Sequence, residues 1–309
     1  MALLFYSEPD DREPWMESLG RHLPDLEVRV WPDIGDPDEI EYALVWQPPR
    51  GMLAGLPRLQ AILSLGAGVE HITGDPELPR DVPLVRLVDP GLTVGMTEFV
   101  VMRVLHYHRR MPEYEAQQRE RVWRLLAQTH PADRRIGILG LGELGGAAAR
   151  ALAGLGFDVA GWSRGPKSIA GIACHHGEDG LFEVLERSEI LVCLLPLTRE
   201  TEGLLDATTL GALPPGAFLI NVARGAHVVD NDLMALLESE HIAGATLDVF
   251  TTEPLPDDHP YWSHPRVMVM PHASAWTLPK TAAETVADNI RRHRAGEKMT
   301  HVVDLDKGY

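Results

Sequence analysis

Arg135–Arg164 reads RIGILGLGELGGAAARALAGLGFDVAGWSR. Ile136 to Leu139 form a short apolar run of the kind a strand buried on both faces needs, and the glycine-rich turn Gly140-Leu141-Gly142-Glu143-Leu144-Gly145 follows without a gap. Alanine-rich residues from Gly146 to Leu155 then favour a helix, Gly156 stands where a helix stop is expected, and Asp158 to Trp162 make a second strand. This order predicts a dinucleotide-binding βαβ unit. Gly140 allows the tight turn, Gly142 lets backbone approach a pyrophosphate, and Gly145 lets the helix pack closely on the strand, so that helix N-terminal amides face the phosphates. Residues Gly140, Leu141, Gly142, Glu143, Leu144 and Gly145 are therefore candidate cofactor contacts.

The far end of the unit speaks to the choice of dinucleotide. An NAD site usually places Asp or Glu after the second strand, about 20 residues beyond the glycines, to hold the ribose 2′-hydroxyl. Ser163 and Arg164 stand there instead, with Lys167 close behind. A carboxylate would repel a 2′-phosphate by about 1 to about 4 kcal/mol per unit-charge pair at about 4 Å, depending on the effective dielectric. A hydroxyl and two cations in its place predict that NADP(H) is preferred, with NAD(H) possible.

Outward from this unit, strands are expected at Ala2 to Tyr6, Glu27 to Trp31, Tyr42 to Trp46, Leu59 to Leu65 and Pro83 to Leu87, with a helix from Pro14 to His22. Leu65-Gly66-Ala67-Gly68-Val69 ends one of these strands. Its small residues could expose amides to an anion, or serve only a tight turn. A helix is expected over Met96 to Arg110, with a domain crossing near its start, and the polar Gln117 to Trp123 fits a solvated helix or an arm against a partner subunit. Beyond the opening unit, strands at Glu189 to Leu195, Ala217 to Val222, Ala245 to Val249 and Val267 to Met270 alternate with helices. Lys280 to Arg294 reads as a long amphipathic helix returning to the first domain. The alternation implies a doubly wound parallel sheet of the α/β class.

Composition narrows the function classes. The chain has 309 residues, 45% hydrophobic and 24% charged, which suits about two globular domains. A formal charge of -17 disfavours nucleic acid and anionic membranes as partners, since polyanions are repelled over most of the exterior. No apolar run approaches a membrane span and no basic-then-apolar leader is seen, so a cytoplasmic protein is expected. Cys174 and Cys193 are the only cysteines, and Cys174-His175-His176 has no second cluster in register, so neither a disulfide framework nor a metal is expected.

Three strand ends in the second half carry reactive side chains: Arg224 in NVARG, Glu253 in LDVFTTEP and His272 in PHASA. Ligands of open α/β sheets bind beyond the carboxyl ends of strands, so the three can converge on the nicotinamide end of a dinucleotide. The planar fork of an arginine suits the carboxylate and ketone of a 2-oxo acid. Histidine suits proton transfer, and a neighbouring carboxylate favours its charged form.

With GLGELG at its interval upstream, these motifs resemble those of the D-isomer-specific 2-hydroxyacid dehydrogenases. YALVWQPP, LGAGVEHI, GWSRGPKS, ARGAHVVDNDL and the closing Lys307-Gly308-Tyr309 further resemble the bacterial glyoxylate/hydroxypyruvate reductase A group, over essentially the whole chain. The resemblance implies a Rossmann dinucleotide-binding domain, 98–276, and a smaller discontinuous flavodoxin-like α/β domain, 1–97 and 277–309, with substrate between them and a homodimeric assembly. It implies that Arg224 binds substrate, His272 is the acid/base, Glu253 orients His272, and Gly66, Ala67, Gly68 and Val69 hold the carboxylate through their amides. By the same resemblance Asp248 meets the nicotinamide carboxamide and Leu195 and Pro196 the adenosine side, with Val222 and Ala223 beside the cofactor. Trp46 and Trp276 follow strands and are candidate pocket walls or plain packing residues. The expected activity is NADPH-dependent reduction of small 2-oxo acids such as glyoxylate and hydroxypyruvate. The alternatives are a preference for bulkier oxo or hydroxy acids, or a dinucleotide-sensing role like that of corepressors.

Overall fold

The computed structural model describes residues 1–8 and 10–308; Pro9 and Tyr309 lie outside the described residues, so the closing Lys307-Gly308-Tyr309 is described only through Gly308. The first elements are β1 (Ala2–Tyr6), α1 (Arg12–His22), β2 (Glu27–Val30), β3 (Ile40–Val45), β4 (Ala61–Ser64), α2 (Glu70–Thr73) and β5 (Leu84–Val85). Two helices follow, α3 (Pro90–His108) and α4 (Met111–Glu120). The rest runs β6 (Arg135–Leu139), α5 (Glu143–Gly154), β7 (Asp158–Ser163), β8 (Ala173–His176), α6 (Gly177–Arg187), β9 (Ile190–Cys193), α7 (Ala207–Gly211), β10 (Ala217–Asn221), α8 (Asp230–Glu238), β11 (Ile242–Leu247), β12 (Val267–Val269) and α9 (Pro279–Arg294).

The chain divides into two compact units, Met1–Leu92 with Trp276–Tyr309, and Thr93–Ala275. The first holds a five-stranded parallel sheet in the order β2-β1-β3-β4-β5, the flavodoxin-like order. One face is covered by α1 and α9, whose Trp15, Leu19, Ala282, Ala283, Val286 and Ile290 are buried on it. Basic residues fill the last turn of α9, where they complement the helix dipole.

The second unit holds a seven-stranded parallel sheet, β12-β11-β10-β9-β6-β7-β8. β6 lies between β7 and β9, so the strand order reverses beside it, and the crevice beyond its carboxyl end is where this fold binds dinucleotides. Both sheet faces are buried, which explains the unbroken apolar runs of its central strands. Cys193 is one such residue, and burial pushes its thiol up to about 12, removing it from thiolate chemistry. Among the described residues no helix is long and apolar enough to cross a membrane, and no group of three or more His, Cys, Asp or Glu could hold a metal ion.

Several elements differ from the sequence-based expectation for local reasons. α1 begins two residues before Pro14, because Asp11 accepts the Glu13 amide and caps it. α3 begins at Pro90 rather than Met96. Asp89 accepts the Leu92 amide at its start, and Pro90 suits a first helical position, while Gly91, Thr93 and Gly95 blur the apolar spacing. Cys174-His175-His176 belongs to the edge strand β8, where polar side chains are tolerated. The polar stretch Gln117 to Trp123 is not one helix: α4 stops at Glu120, Arg121 turns left-handed, and residues 122–130 form no helix or strand. Buried Gln117 accepts the Arg124 amide at 3.2 Å, anchoring the start of that arm.

Candidate active site

The dinucleotide cradle follows β6. Gly140 has φ +101 and donates to Trp162 O at 2.8 Å; a Cβ there would lie 2.6 Å from Leu194 O, so the chains leaving β6 and β9 meet at backbone distance. A Cβ on Gly145 would lie 1.8 Å from Gly140 O, which fixes how closely α5 packs on the turn. Gly142 is different: nothing in the protein lies within 4 Å of a Cβ built there. Open space at that position, beside first-turn amides of α5 that have no intrahelical acceptor, fits a pyrophosphate.

At the end of β7, Trp162 Nε1 donates to Gly177 O at 2.7 Å and holds the strand terminus. Ser163 is buried and donates to Gly165 O at 2.8 Å, closing the turn that presents the exposed Arg164 and Lys167. The loop after β9 comes within electrostatic reach of this turn. A hydrogen bond from Thr198 holds the Glu200 carboxyl below its ordinary range, helped by the charges of Arg164 and Arg199. Leu195, Val222 and Ala223 are buried at the neighbouring strand ends, and Pro196 is half-buried.

The loops after β10, β11 and β12 build the reactive cluster. Asn221 closes the first by donating through Nδ2 to Arg224 O at 2.9 Å and accepting the Ala223 amide at 3.2 Å. A Cβ on Gly225 would lie 1.9 Å from the carbonyl carbon of Phe250, so the Arg224 loop rests directly on the loop that carries Glu253. Asp248 is fully buried and shapes the third loop. Its carboxylate accepts the amides of Ala273 at 2.7 Å and Ser274 at 2.9 Å, and its carbonyl accepts the His272 amide at 2.9 Å. Each carboxylate oxygen keeps a second lone pair beyond these bonds. These contacts hold His272 at φ +55, a left-handed conformation costly for a residue with a Cβ.

His272 Nδ1 lies 2.7 Å from Glu253 Oε2, and the other Glu253 oxygen accepts the Phe250 amide at 2.8 Å. Burial raises the Glu253 pKa. The bonds from His272 and Phe250 and the charges of His272 and Arg224 outweigh it, holding the carboxyl below its ordinary range. The structure thus brings Arg224, Glu253 and His272 together from three strand ends.

The remaining candidates lie in the first unit. Trp46 packs on the turn after β4, with its ring carbon 2.2 Å from where a Gly66 Cβ would stand, and its ring centroid 4.3 Å from that of His71. The Gly66 amide donates to Ser64 Oγ at 3.1 Å, so Gly66 shapes the turn while Ala67, Gly68 and Val69 present the amides that follow it. Trp276 is half-exposed at the return of the chain to this unit.

A family model described as "D-isomer specific 2-hydroxyacid dehydrogenase, NAD binding domain" matches residues 101–274. The chain belongs to the D-isomer-specific 2-hydroxyacid dehydrogenases. It is 44% identical to glyoxylate/hydroxypyruvate reductase A of Photorhabdus laumondii, with all of both chains covered. Among solved structures it is similar to the Xanthobacter autotrophicus member of this dehydrogenase family in complex with NADPH, at TM-score 0.96 and 47% identity over 100% of this chain and 99% of that one. It is also similar to the NADPH-dependent glyoxylate/hydroxypyruvate reductase of Sinorhizobium meliloti in complex with NADP and sulfate, at TM-score 0.94 and 37% identity with both chains fully covered.

As a 2-hydroxyacid dehydrogenase, this chain is an oxidoreductase on a dinucleotide-binding scaffold. Two features of the neighbouring loops were not read from the motifs. Thr198, on the loop after β9, bonds the Glu200 carboxyl within electrostatic reach of Arg164 and Arg199, and the hydroxyl and cation following LLPL are the sequence signal that could have found it. His227 sits three residues after Arg224 in ARGAHVV, where nothing in the spacing marks it as bonded to Arg224 O.

Proposed function

We propose that this dehydrogenase reduces small 2-oxo acids, glyoxylate and hydroxypyruvate foremost, with NADPH, in the cytoplasm and as a homodimer. The single observation that carries the chemistry is the contact of His272 Nδ1 with Glu253 at 2.7 Å, beside Arg224. Support for the cofactor is the cation pair Arg164 and Lys167 where an NAD site has a carboxylate, together with the NADPH-bound relatives.

When bound, NADPH supplies the hydride that reduces the carbonyl carbon of the 2-oxo acid to the carbinol carbon of the hydroxy acid. Gly140–Gly145 and the first turn of α5 hold its pyrophosphate, and Ser163, Arg164 and Lys167 its 2′-phosphate. Arg224 pairs with the substrate carboxylate and polarises the carbonyl through its planar fork of donors. Glu253 engages Nδ1 of His272, fixing the ring and leaving proton donation to Nε2, which protonates the carbonyl oxygen as the carbon is reduced. The amides of Ala67, Gly68 and Val69 are a second anion-holding element, and Trp46 is a wall beside them.

The test is NADPH oxidation against glyoxylate, hydroxypyruvate, pyruvate and phenylpyruvate, repeated with NADH, for the wild type and His272→Asn. The small acids should be turned over fastest, and His272→Asn should bind NADPH normally while losing roughly two orders of magnitude or more in turnover. Normal turnover in that variant removes His272 from the mechanism, and a protein that binds NADPH but reduces no oxo acid is a sensor instead.

A further inference from the structure

We propose that His227 is a positioning residue that couples the dinucleotide loop after β9 to the substrate-binding Arg224, so that each ligand tightens the other. The inference rests on the functional reading above, with the oxo acid at Arg224 and, as the family resemblance implies, the dinucleotide at Leu195 and Pro196.

His227 is fully buried in the 3-10 turn Gly225–His227. Its Nδ1 lies 3.0 Å from Arg224 O and its Nε2 lies 3.3 Å from Pro196 O. The ring therefore spans the gap between the backbone of the residue assigned to substrate and that of the residue assigned to cofactor. Both carbonyls are anchored in their own loops as well. Arg224 O accepts Asn221 Nδ2 at 2.9 Å, and Pro196 O accepts Thr201 Oγ1 at 2.7 Å. Farther from the site the same two loops are zipped by backbone bonds, Gly203 N to Ala226 O, Leu205 N to His227 O and Val229 N to Leu205 O. The zip fixes the far ends of the two loops, and the imidazole links their near ends.

A ring in this position is suited to coupling. A neutral imidazole carries one N–H and can serve one carbonyl at a time, whereas the imidazolium serves both. A shift of Pro196 on dinucleotide binding is thereby felt at Arg224 O, on the backbone of the residue that carries the guanidinium. Small displacements matter there, because misplacing a catalytic group by about 1 Å can cost roughly a hundredfold in rate. By linkage, whatever affinity NADPH adds for the oxo acid, the oxo acid adds for NADPH.

The test uses oxamate, a 2-oxo-acid isostere that is not reduced, titrated calorimetrically into the protein alone and into its NADPH complex. The wild type should bind oxamate about fivefold to about a hundredfold more tightly with NADPH present, the usual span of such coupling. His227→Leu should keep both binary affinities within about threefold and lose most of that factor. His227→Asn places a donor near the Nδ1 position and His227→Gln near the Nε2 position, so each keeps one arm, and each should lose part of the coupling. These two variants also carry the test should His227→Leu fail to fold. Wild-type coupling retained in the Asn and Gln variants, or in a folded Leu variant, overturns the proposal, as does a wild type that binds both ligands without coupling. A wild type that reduces no oxo acid fails the functional reading itself, a separate result.

Discussion

Glu253 is pulled in opposite directions. Burial favours its neutral form, while the bonds from His272 and the Phe250 amide and the charge of Arg224 favour the carboxylate, and the carboxylate prevails. A folded-state pKa below the ordinary 4.5 means that ionised Glu253 stabilises the fold fully above that value and stops doing so as pH falls through the lower folded value. Thermal melts of wild type and Glu253→Gln from neutral pH downward should therefore differ most at neutral pH and converge in acid. A difference that grows in acid would sink this account. Arg164 offers a second residue-level test: Arg164→Ala should raise the Michaelis constant for NADPH far more than for NADH, and equal changes refute the assignment to the 2′-phosphate. The gathering of Arg224, Glu253 and His272 was legible in sequence because each follows a strand-like apolar run, and the sheet brings the loops after its strands to one edge. The bonds of His227 and the Gly66 amide were not, because they depend on loop paths that no spacing rule describes.

At the scale of the element, the βαβ unit separates glycine's two uses. The strand, the glycine turn and the helix were readable from Arg135 to Arg164 because apolar run, turn and alanine-rich stretch all agree in register. What spacing could not tell is which glycine serves the fold and which the ligand. A Cβ on Gly145 would press on Gly140 O at 1.8 Å, so Gly145→Ala must move α5 off its strand. The expected cost is about 1–3 kcal/mol, as for other overpacked sites, with a lower melting temperature. Gly142→Ala meets no protein atom within 4 Å, and its φ of -80° suits alanine. It should melt with the wild type yet bind NADPH more weakly, since the methyl occupies the path of the pyrophosphate. Fluorescence titration with NADPH decides it, and wild-type affinity in Gly142→Ala would show that the phosphates pass elsewhere. The start of α3 is the contrasting case, where glycines and a threonine at its first turns hid a helix that a capping aspartate begins.

For the whole molecule, the question is how two copies with a charge of -17 each could associate. Long-range repulsion must be overcome by local apolar burial, and in the proposed homodimer the arm after α4 carries the material for it. Trp123 is fully exposed and Leu125 nearly so, on a segment whose start is fastened by the Gln117 bond to Arg124. The Tyr114 hydroxyl accepts the Leu126 amide at 3.1 Å, which holds the arm against α4 with those two side chains outward. Full burial of each large apolar side chain contributes roughly 1.5–3 kcal/mol, and a twofold dimer buries two copies of each. Trp123→Ser with Leu125→Ser should thus raise the dimer dissociation constant by several orders of magnitude, at about 1.4 kcal/mol per decade. Salt should tighten the wild-type dimer by screening the like charges, while doing little for the variant, which lacks the apolar contact. Sedimentation at low and high ionic strength checks both. A wild type that sediments at 34.1 kDa at all concentrations, or a double variant that stays at twice that mass, removes the arm from the interface.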